Sequence, residues 1–521
     1  MTTTVPASTG PPTLQRNAVG TFGALAQSLG AISPAGTVAV MGALIVPLAG
    51  TGTWLTVLFQ MVVVLCTGWI IIRLARRFAT TGGLYGLNSR CAGRLGGVLT
   101  ALAIVFIGLA ALPAMVVVFA NYTASFFNLF GMQMTKPVLA GFCVLGAVLA
   151  AFFSYKEIKL SVMVMLVLQA LSIAAMVLLF SIVLAHAPHI FDSAQFGLHG
   201  VTVQGLALGM VIGIFAYEGF ESATVFGQEA RNPNHVIPRA VVGSLVITGL
   251  LFTFAGYSLV LGYNGHLPAL IASPNPLTDL ANRNGVHWLS YLVDIGIIVA
   301  TFAVIIATIN LVARVVFTLA RERLLPPTLA RVGRTTKTPV LPIILLAGFG
   351  LALALWVVST SSTPVVFTGP FFTLAGFFAI AEYFIVSIGG PVYLARIRDL
   401  HPLDVIAGVI SAGGMAYVLY SSYVPFPPYP DSIIAWMFLA IMVAGGVTYA
   451  VLRGHPQILD RIGRSVADDT ALVAGEAAIP ETVPPPTAGD GTSRPSPPAT
   501  RPVLAPVRLA GLGRFARHRR A

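Results

Sequence analysis

Two glutamates, Glu218 and Glu221, lie inside an apolar run, in a stretch that reads GIFAYEGFESATVFGQEARNPNHVIPRA over residues 213–240. A carboxylate at membrane depth costs about 3 kcal/mol or more unless it is paired, protonated or open to water. The chemistry open to such groups is cation chemistry. Glu218 is placed to face the ammonium of a cationic substrate or to bind a coupling proton. Glu221 is placed to accept from unwound backbone amides or to take part in proton movement. Glu382, within GFFAIAEYFIVSIGG, is a third proton-site candidate, the alternative being a hydrogen bond to a neighbouring helix. Thr308 and Asn310 offer neutral oxygens of the kind hard cations such as sodium take, though both residue types also join helices in membranes. Asp294 is expected to meet water.

The elements that hold these residues follow from composition. The chain has 521 residues, of which 56% are hydrophobic and 9% charged, with a mean hydropathy of +0.87. That balance excludes an ordinary soluble domain. Apolar runs long enough to cross a hydrocarbon core of about 30 Å recur along it. They predict twelve spans, at 19–49, 52–74, 95–122, 137–154, 158–185, 203–229, 239–262, 287–320, 339–358, 365–395, 403–422 and 432–452. No cleavable signal peptide is expected at the start.

The net charge of +12 does not point to nucleic acid, because the arginines gather in short loops between spans. Arg73, Arg76, Arg77, Arg90 and Arg94 follow span 2; Lys156 and Lys159 follow span 4; Arg231 and Arg239 follow span 6. Arg321, Arg323, Arg331, Arg334 and Lys337 follow span 8, and Arg396 and Arg398 follow span 10. The opposite loops hold Lys136 and Arg283. This asymmetry puts both termini in the cytoplasm. Lys is scarce beside Arg, which suggests a bacterial inner membrane. Residues 1–18 and 453–521 lack the apolar content to fold and are expected to be disordered, leaving 19–452 as the membrane domain.

Cys66, Cys91 and Cys143 fit no metal spacing and read as free thiols. His186, His189 and His199 share one outer loop at irregular spacing and read as solvated. No nucleotide-binding loop, catalytic triad or metal motif appears, so no cofactor is expected beyond a coupling proton or sodium ion.

Two spans carry the marks of a break. Gly30-Ala31-Ile32-Ser33-Pro34-Ala35-Gly36 interrupts span 1, where Pro34 removes a donor and clashes with the preceding turn. Gly213 and Gly219 flank the acids of span 6. A half-helix starting at the first break points free amides into the membrane centre, where they suit a carboxylate. The breaks lie five spans apart, as an inverted repeat of spans 1–5 and 6–10 with a site between them requires.

Three segments carry a family resemblance. Residues 215–240 hold an aromatic-rich Gly-Phe-Glu, then Gln228-Glu229-Ala230-Arg231-Asn232-Pro233 and Ile237-Pro238-Arg239-Ala240. Thr81-Gly82-Gly83-Leu84-Tyr85 follows span 2, and NLVARVVFTLARERLLP runs from Asn310 to Pro326 with Thr338-Pro339 after it. Together they resemble the amino acid–polyamine–organocation superfamily over residues 15–455. The resemblance implies an all-α leucine-transporter-type fold, a 5+5 inverted repeat plus two further helices, working by alternating access. It implies that the substrate carboxylate meets the amides at Ser33, Ala35 and Gly36, and that its ammonium meets carbonyls near Phe215, Ala216, Glu218 and Gly219. Tyr217 and Phe220 would be gating or pocket aromatics. Ile32-Ser33-Pro34-Ala35-Gly36 stands where the family has a Gly-Ser-Gly-like string. Gln169 stands where several proton-coupled members carry a lysine.

The reading is a secondary transporter of an amino acid or related amine, with a small-molecule substrate and the bilayer as partners. An exchanger of polyamines or other organic cations is the alternative, in which Glu218 binds the substrate. A membrane sensor or enzyme fits worse, for lack of a folded sensor domain or of clustered catalytic residues.

Overall fold

The computed structural model describes residues 20–77, 83–156, 162–227, 230–333, 338–429 and 431–455, together with Gln457 and Ile462. All of these fall in the first of two compact units, Met1–Ala477. Residues 1–18, almost all of 453–521, and Thr81, Gly82, Gln228 and Glu229 lie outside the described residues. In the tail, Ile462 is buried against Val98 of span 3.

Twelve membrane-crossing helices appear among the described residues: Thr21–Leu44, Val46–Ala75, Gly93–Asn128, Lys136–Lys156, Val167–His186, Val203–Thr224, Asn234–Gly262, His287–Arg321, Val340–Thr360, Val366–Arg396, Pro402–Tyr423 and Asp431–Leu452. They match the expected spans to within a few residues at most ends. In hydrocarbon every backbone polar group must be satisfied within the chain, and helices do this locally. The sequence reading did not foresee the helices in the loops: Gly83–Cys91 before span 3, and Leu267–Ala272 and Pro276–Arg283 between spans 7 and 8.

Burial ranks the spans. Span 1 is 78% buried over its apolar window and span 12 only 17%, so the first is central and the last peripheral. Spans 3, 4, 8 and 9 share one apolar core, which includes Val116, Cys143, Ile309 and Val357. The larger core gathers spans 1, 2, 5, 6, 7 and 10 around residues such as Met41, Ile70, Tyr217 and Phe378. The molecule therefore has two packing units that meet along spans 3 and 8.

Span 1 divides at Ser33, with Thr21–Ile32 before it and Pro34–Leu44 after it. Ser33 adopts φ 53° and ψ 67°, a left-handed conformation that costs a residue with a Cβ about 1–2 kcal/mol. Pro34 is the local cause, since its ring disfavours the right-handed helical region at the residue before it. As the first residue of the second half-helix, it lacks only an N–H that had no partner there. Span 6 is α-helical over Val203–Ala216 and resumes as a 3₁₀ helix over Phe220–Gly227. Between them Gly219 takes φ 104°, open to glycine and strained for any other residue.

The two breaks touch. A Cβ on Gly219 would lie 2.5 Å from the Ala31 Cβ and 2.9 Å from its carbonyl carbon. Ser28 Oγ donates to the Phe220 carbonyl at 2.9 Å. Backbone thus meets backbone where each helix has been interrupted.

At the end of span 2, an ion-pair cluster fixes the start of span 11. Arg73 donates to both carboxylate oxygens of Asp404 and, at 2.6 Å, to the Asp399 carbonyl. Trp69 Nε1 donates to Asp404 Oδ1 at 2.8 Å, and the His401 amide donates to Oδ2 at 2.9 Å. Arg77 reaches Asp399 at 2.6 Å from a more exposed position.

Two stability outcomes follow, both read as the thermal unfolding midpoint of purified protein in detergent. Gly219→Ala is expected to destabilise by about 2 kcal/mol or more, from a strained φ and a backbone collision together. A midpoint equal to wild type would mean that the two breaks separate freely. Arg73→Ala strips the charge partner from a fully buried carboxylate and is expected to cost about 3 kcal/mol, whereas Arg77→Ala, at a surface pair, costs under about 1 kcal/mol. Equal losses would contradict that ranking.

Candidate functional site

The first break presents donors. Ala35 and Gly36 occupy the second and third positions of a half-helix, where amides have no intrahelical acceptor and carry the positive end of the helix dipole. The Ser33 hydroxyl is buried beside them, with no hydrogen-bond partner among the described residues. A Cβ on Gly36 would stand 2.7 Å from Ser33 Oγ and 3.1 Å from Thr301 Cγ2. Only a glycine leaves its amide open here. Two amides and a hydroxyl converging at a helix N-terminus form a set of donors suited to a carboxylate.

The second break presents acceptors. The Tyr217 amide donates to Ile214 at 3.2 Å, Glu218 to Phe215 at 2.8 Å and Phe220 to Tyr217 at 3.3 Å. This run of short turns passes over the carbonyl of Ala216, leaving it as a partial negative charge for a cation. Tyr217 and Phe220 are both fully buried. Tyr217 donates to the Val57 carbonyl at 3.4 Å and meets Phe252 of span 7 edge-on. Phe220 lies against Tyr383 of span 10. Phe215 is half-buried and packs on Phe372.

The three membrane glutamates come together. Glu221 Oε2 accepts from the Gly219 amide at 3.2 Å and from the Tyr383 hydroxyl at 3.0 Å. It therefore both seals the unwound turn and ties span 6 to span 10. The Glu218 carboxyl adjoins that of Glu382 and the Tyr383 hydroxyl. Oε2 of Glu218 and Oε2 of Glu382 have no hydrogen-bond partner, so the interhelical bond that was the alternative reading of Glu382 is absent at that atom. Asn88 of the loop helix Gly83–Cys91 donates to the Glu382 carbonyl at 3.1 Å and to Thr100 at 2.8 Å. The sequence reading missed Tyr383, although a tyrosine directly after an intramembrane glutamate was the available signal.

Gln60 of span 2 was also missed. Its amide donates to the Gly209 carbonyl at 3.1 Å, its Oε1 has no partner, and a Cβ on Gly213 would overlap it. Gln169 is buried with its Oε1 unpartnered, on the helix Val162–His186 that packs against the first half of span 1. On span 8, Thr301 is the residue that touches the first break. Thr308, seven residues and about 10 Å further along the helix, lies against Gly108 of span 3, and Asn310 is half-buried beyond it. One expectation is corrected outright. Asp294 is fully buried and accepts from Thr278 at 2.7 Å and Ser125 at 3.0 Å. The unforeseen helix Pro276–Arg283 brings Thr278 over it and removes it from water. His186, His189 and His199 are exposed.

Comparison with known proteins bears on family and fold. The profile of the amino acid permease family matches residues 19–447. A cationic amino acid transporter of Arabidopsis thaliana, described as mitochondrial, is 27% identical over 139 residues, which are 26% of this chain and 22% of that one. The match thus spans less than a quarter of that relative's length. An uncharacterised transporter of Mycobacterium bovis is 27% identical over 341 residues, 65% of this chain and 74% of the relative. A solved structure of a Na+-coupled sialic acid symporter, substrate-bound and outward-open, superposes with a TM-score of 0.51 at 14% identity, covering 79% of this chain and 91% of that one. It shares the fold. On the match across most of its length, the chain belongs to the amino acid permease family.

Proposed function

We propose that this protein is a secondary active transporter that carries an amino acid or a related amine across the cell membrane by alternating access. The observation that carries this reading is the facing of two helix breaks with opposite polarity. Ser33, Ala35 and Gly36 offer donors to a carboxylate; the carbonyls around Phe215, Ala216, Glu218 and Gly219 offer acceptors to an ammonium. An α-amino acid carries both charges on one carbon, and a pair of breaks in contact matches that spacing. The family assignment and the transporters among the relatives support it. The two packing units supply moving parts, since spans 1 and 6 belong to one and spans 3, 4, 8 and 9 share the other. We place both termini in the cytoplasm of a bacterial inner-membrane protein, on the arginine-rich loops.

Ion coupling is part of the proposal. The solved structural relative is Na+-coupled by its own description, and Thr301, Thr308 and Asn310 place neutral oxygens along span 8. A second reading, an exchanger of polyamines or other organic cations, draws on the carboxyl cluster and on the cationic substrates named for the plant relative. The carboxylate separates the two readings, because an amine without one has no use for the Ser33 donors.

Ser33→Ala is expected to raise KM about tenfold for a transported amino acid, the scale of losing one hydrogen bond to a charged group. For the amine made by removing that amino acid's carboxylate it leaves KM unchanged. The measurement is uptake by proteoliposomes of an amino-acid panel and the matching amines. A panel in which only the amines are carried would replace this reading with the organic-cation one.

A further inference from the structure

Around the second break lie three carboxyls and a buried tyrosine: Glu221 and Glu382 are buried, and Glu218 is half-buried with its Oε2 shut from solvent. Glu221 has an architectural task, held by the Gly219 amide and the Tyr383 hydroxyl. Glu218 and Glu382 do not. They come from different helices, and their carboxyls adjoin. Glu382 is 1% exposed, and its Oε2 has no hydrogen-bond partner among the described residues. Among the described residues the titratable groups that face the pair are Glu221, from the second break, and Tyr383, from span 10. Among the described residues no lysine, arginine or histidine acts on it.

Two carboxylates brought together away from water repel strongly, and the usual resolution is that the pair shares one proton. Then one carboxylic acid donates to the other carboxylate, and the pair carries a single charge. A sodium ion would instead need a shell of further oxygens. Of the neutral side chains nearby, Asn88 is committed to Thr100 and the Glu382 carbonyl and Ser387 to the Tyr383 carbonyl and Ser411, which leaves the Ser222 hydroxyl alone without a partner among those named here. A proton requires no such shell and no cavity.

We propose that Glu218 and Glu382 form a proton-binding site bridging spans 6 and 10, and that the broken helices close onto each other only when this site holds its proton. The proposal rests on the transporter reading for its consequence, though not for the existence of the site. The proton enters from water as the carboxylate of the pair becomes a carboxylic acid. It leaves to water on the other side when the pair separates; no other bond is made or broken. Glu218 is one residue from Gly219, which touches Ala31 of the first break. Repulsion between Glu218 and Glu382 therefore acts directly on the contact that closes the substrate site.

The test uses full-length protein in proteoliposomes loaded with a pH-sensitive dye, given arginine, lysine, alanine and leucine in turn. In wild type, addition of a carried amino acid is expected to drive protons inward, and an imposed pH gradient to drive accumulation. In Glu382→Gln both fall about tenfold, the scale of an ordinary coupling between two binding events, while exchange against preloaded amino acid continues. Glu382→Asp, which keeps a titratable group, recovers part of the accumulation. Independently, infrared spectra of wild type are expected to show the carbonyl band of a protonated carboxyl that disappears with rising pH and is missing from Glu382→Gln. Accumulation by Glu382→Gln equal to wild type, accumulation driven by a sodium gradient alone, or no pH-responsive carboxyl band in wild type would each overturn the site. If wild type neither takes up nor exchanges any amino acid, the transporter reading fails instead, and the infrared band still decides whether the carboxyls share a proton. That band alone decides if Glu382→Gln does not reach the membrane.

Discussion

A membrane interior does not tolerate a backbone polar group without a partner, and this chain interrupts two helices there. The interruptions survive because each is closed against the other. Gly219 lies in van der Waals contact with Ala31, Ser28 caps the Phe220 carbonyl, and the Glu221 carboxyl takes the Gly219 amide that the break would otherwise leave bare. Unpaired among the described residues at the breaks are the Ser33 hydroxyl on one side and Glu218 Oε2 and the Ser222 hydroxyl on the other, beside the amides of Ala35 and Gly36 and the carbonyl of Ala216. The backbone part of that remainder is polarised, amides on one side and a carbonyl on the other. On the proposed reading the site is what the breaks leave after satisfying themselves, backbone groups and the Ser33 hydroxyl taking the two charges of a zwitterion.

The polar residues around the breaks follow the same economy. Gln60 enters the groove made by Gly213 and holds the Gly209 carbonyl, so the first half of span 6 is pinned to span 2 just before it unwinds. Tyr383 bridges Glu221 and the Glu218–Glu382 pair, and it is itself locked by the ring of Phe220. Ser387, one turn on, joins Ser411 and Thr67 in a chain of hydroxyls linking spans 10, 11 and 2. Interhelical hydrogen bonds of this kind are individually modest in membranes. Their value here is directional, since they fix span 10 against spans 2 and 11.

Local pattern made much of this legible. Apolar runs gave the spans, Pro34 and the glycines marked both breaks, and Glu218 and Glu221 stood out by cost alone. What stayed hidden depended on long-range placement. Asp294 reads as a solvated span end until Pro276–Arg283, an amphipathic turn in a loop, folds over it. Thr308 and Thr301 look alike as oxygens on span 8, and only the helix's rotation and depth place Thr301 at the first break. Tyr383 carries one local signal, the glutamate before it, but its role depends on a partner 162 residues away. The Gly219–Ala31 contact is of the same type: a glycine beside two acids predicts flexibility, whereas the structure uses it for close approach.

That close approach bears on how a substrate and a coupling ion can share one conformational step. A ligand shifts an equilibrium only by its differential affinity for the two states. A zwitterion bound between the breaks rewards their approach directly, because both of its charges find partners only when Ser33–Gly36 and Phe215–Gly219 face each other. A charge on Glu218 next to Glu382 opposes the same approach, one residue from Gly219. Two opposed influences on one backbone contact suffice for coupling, with no pathway through the rest of the bundle.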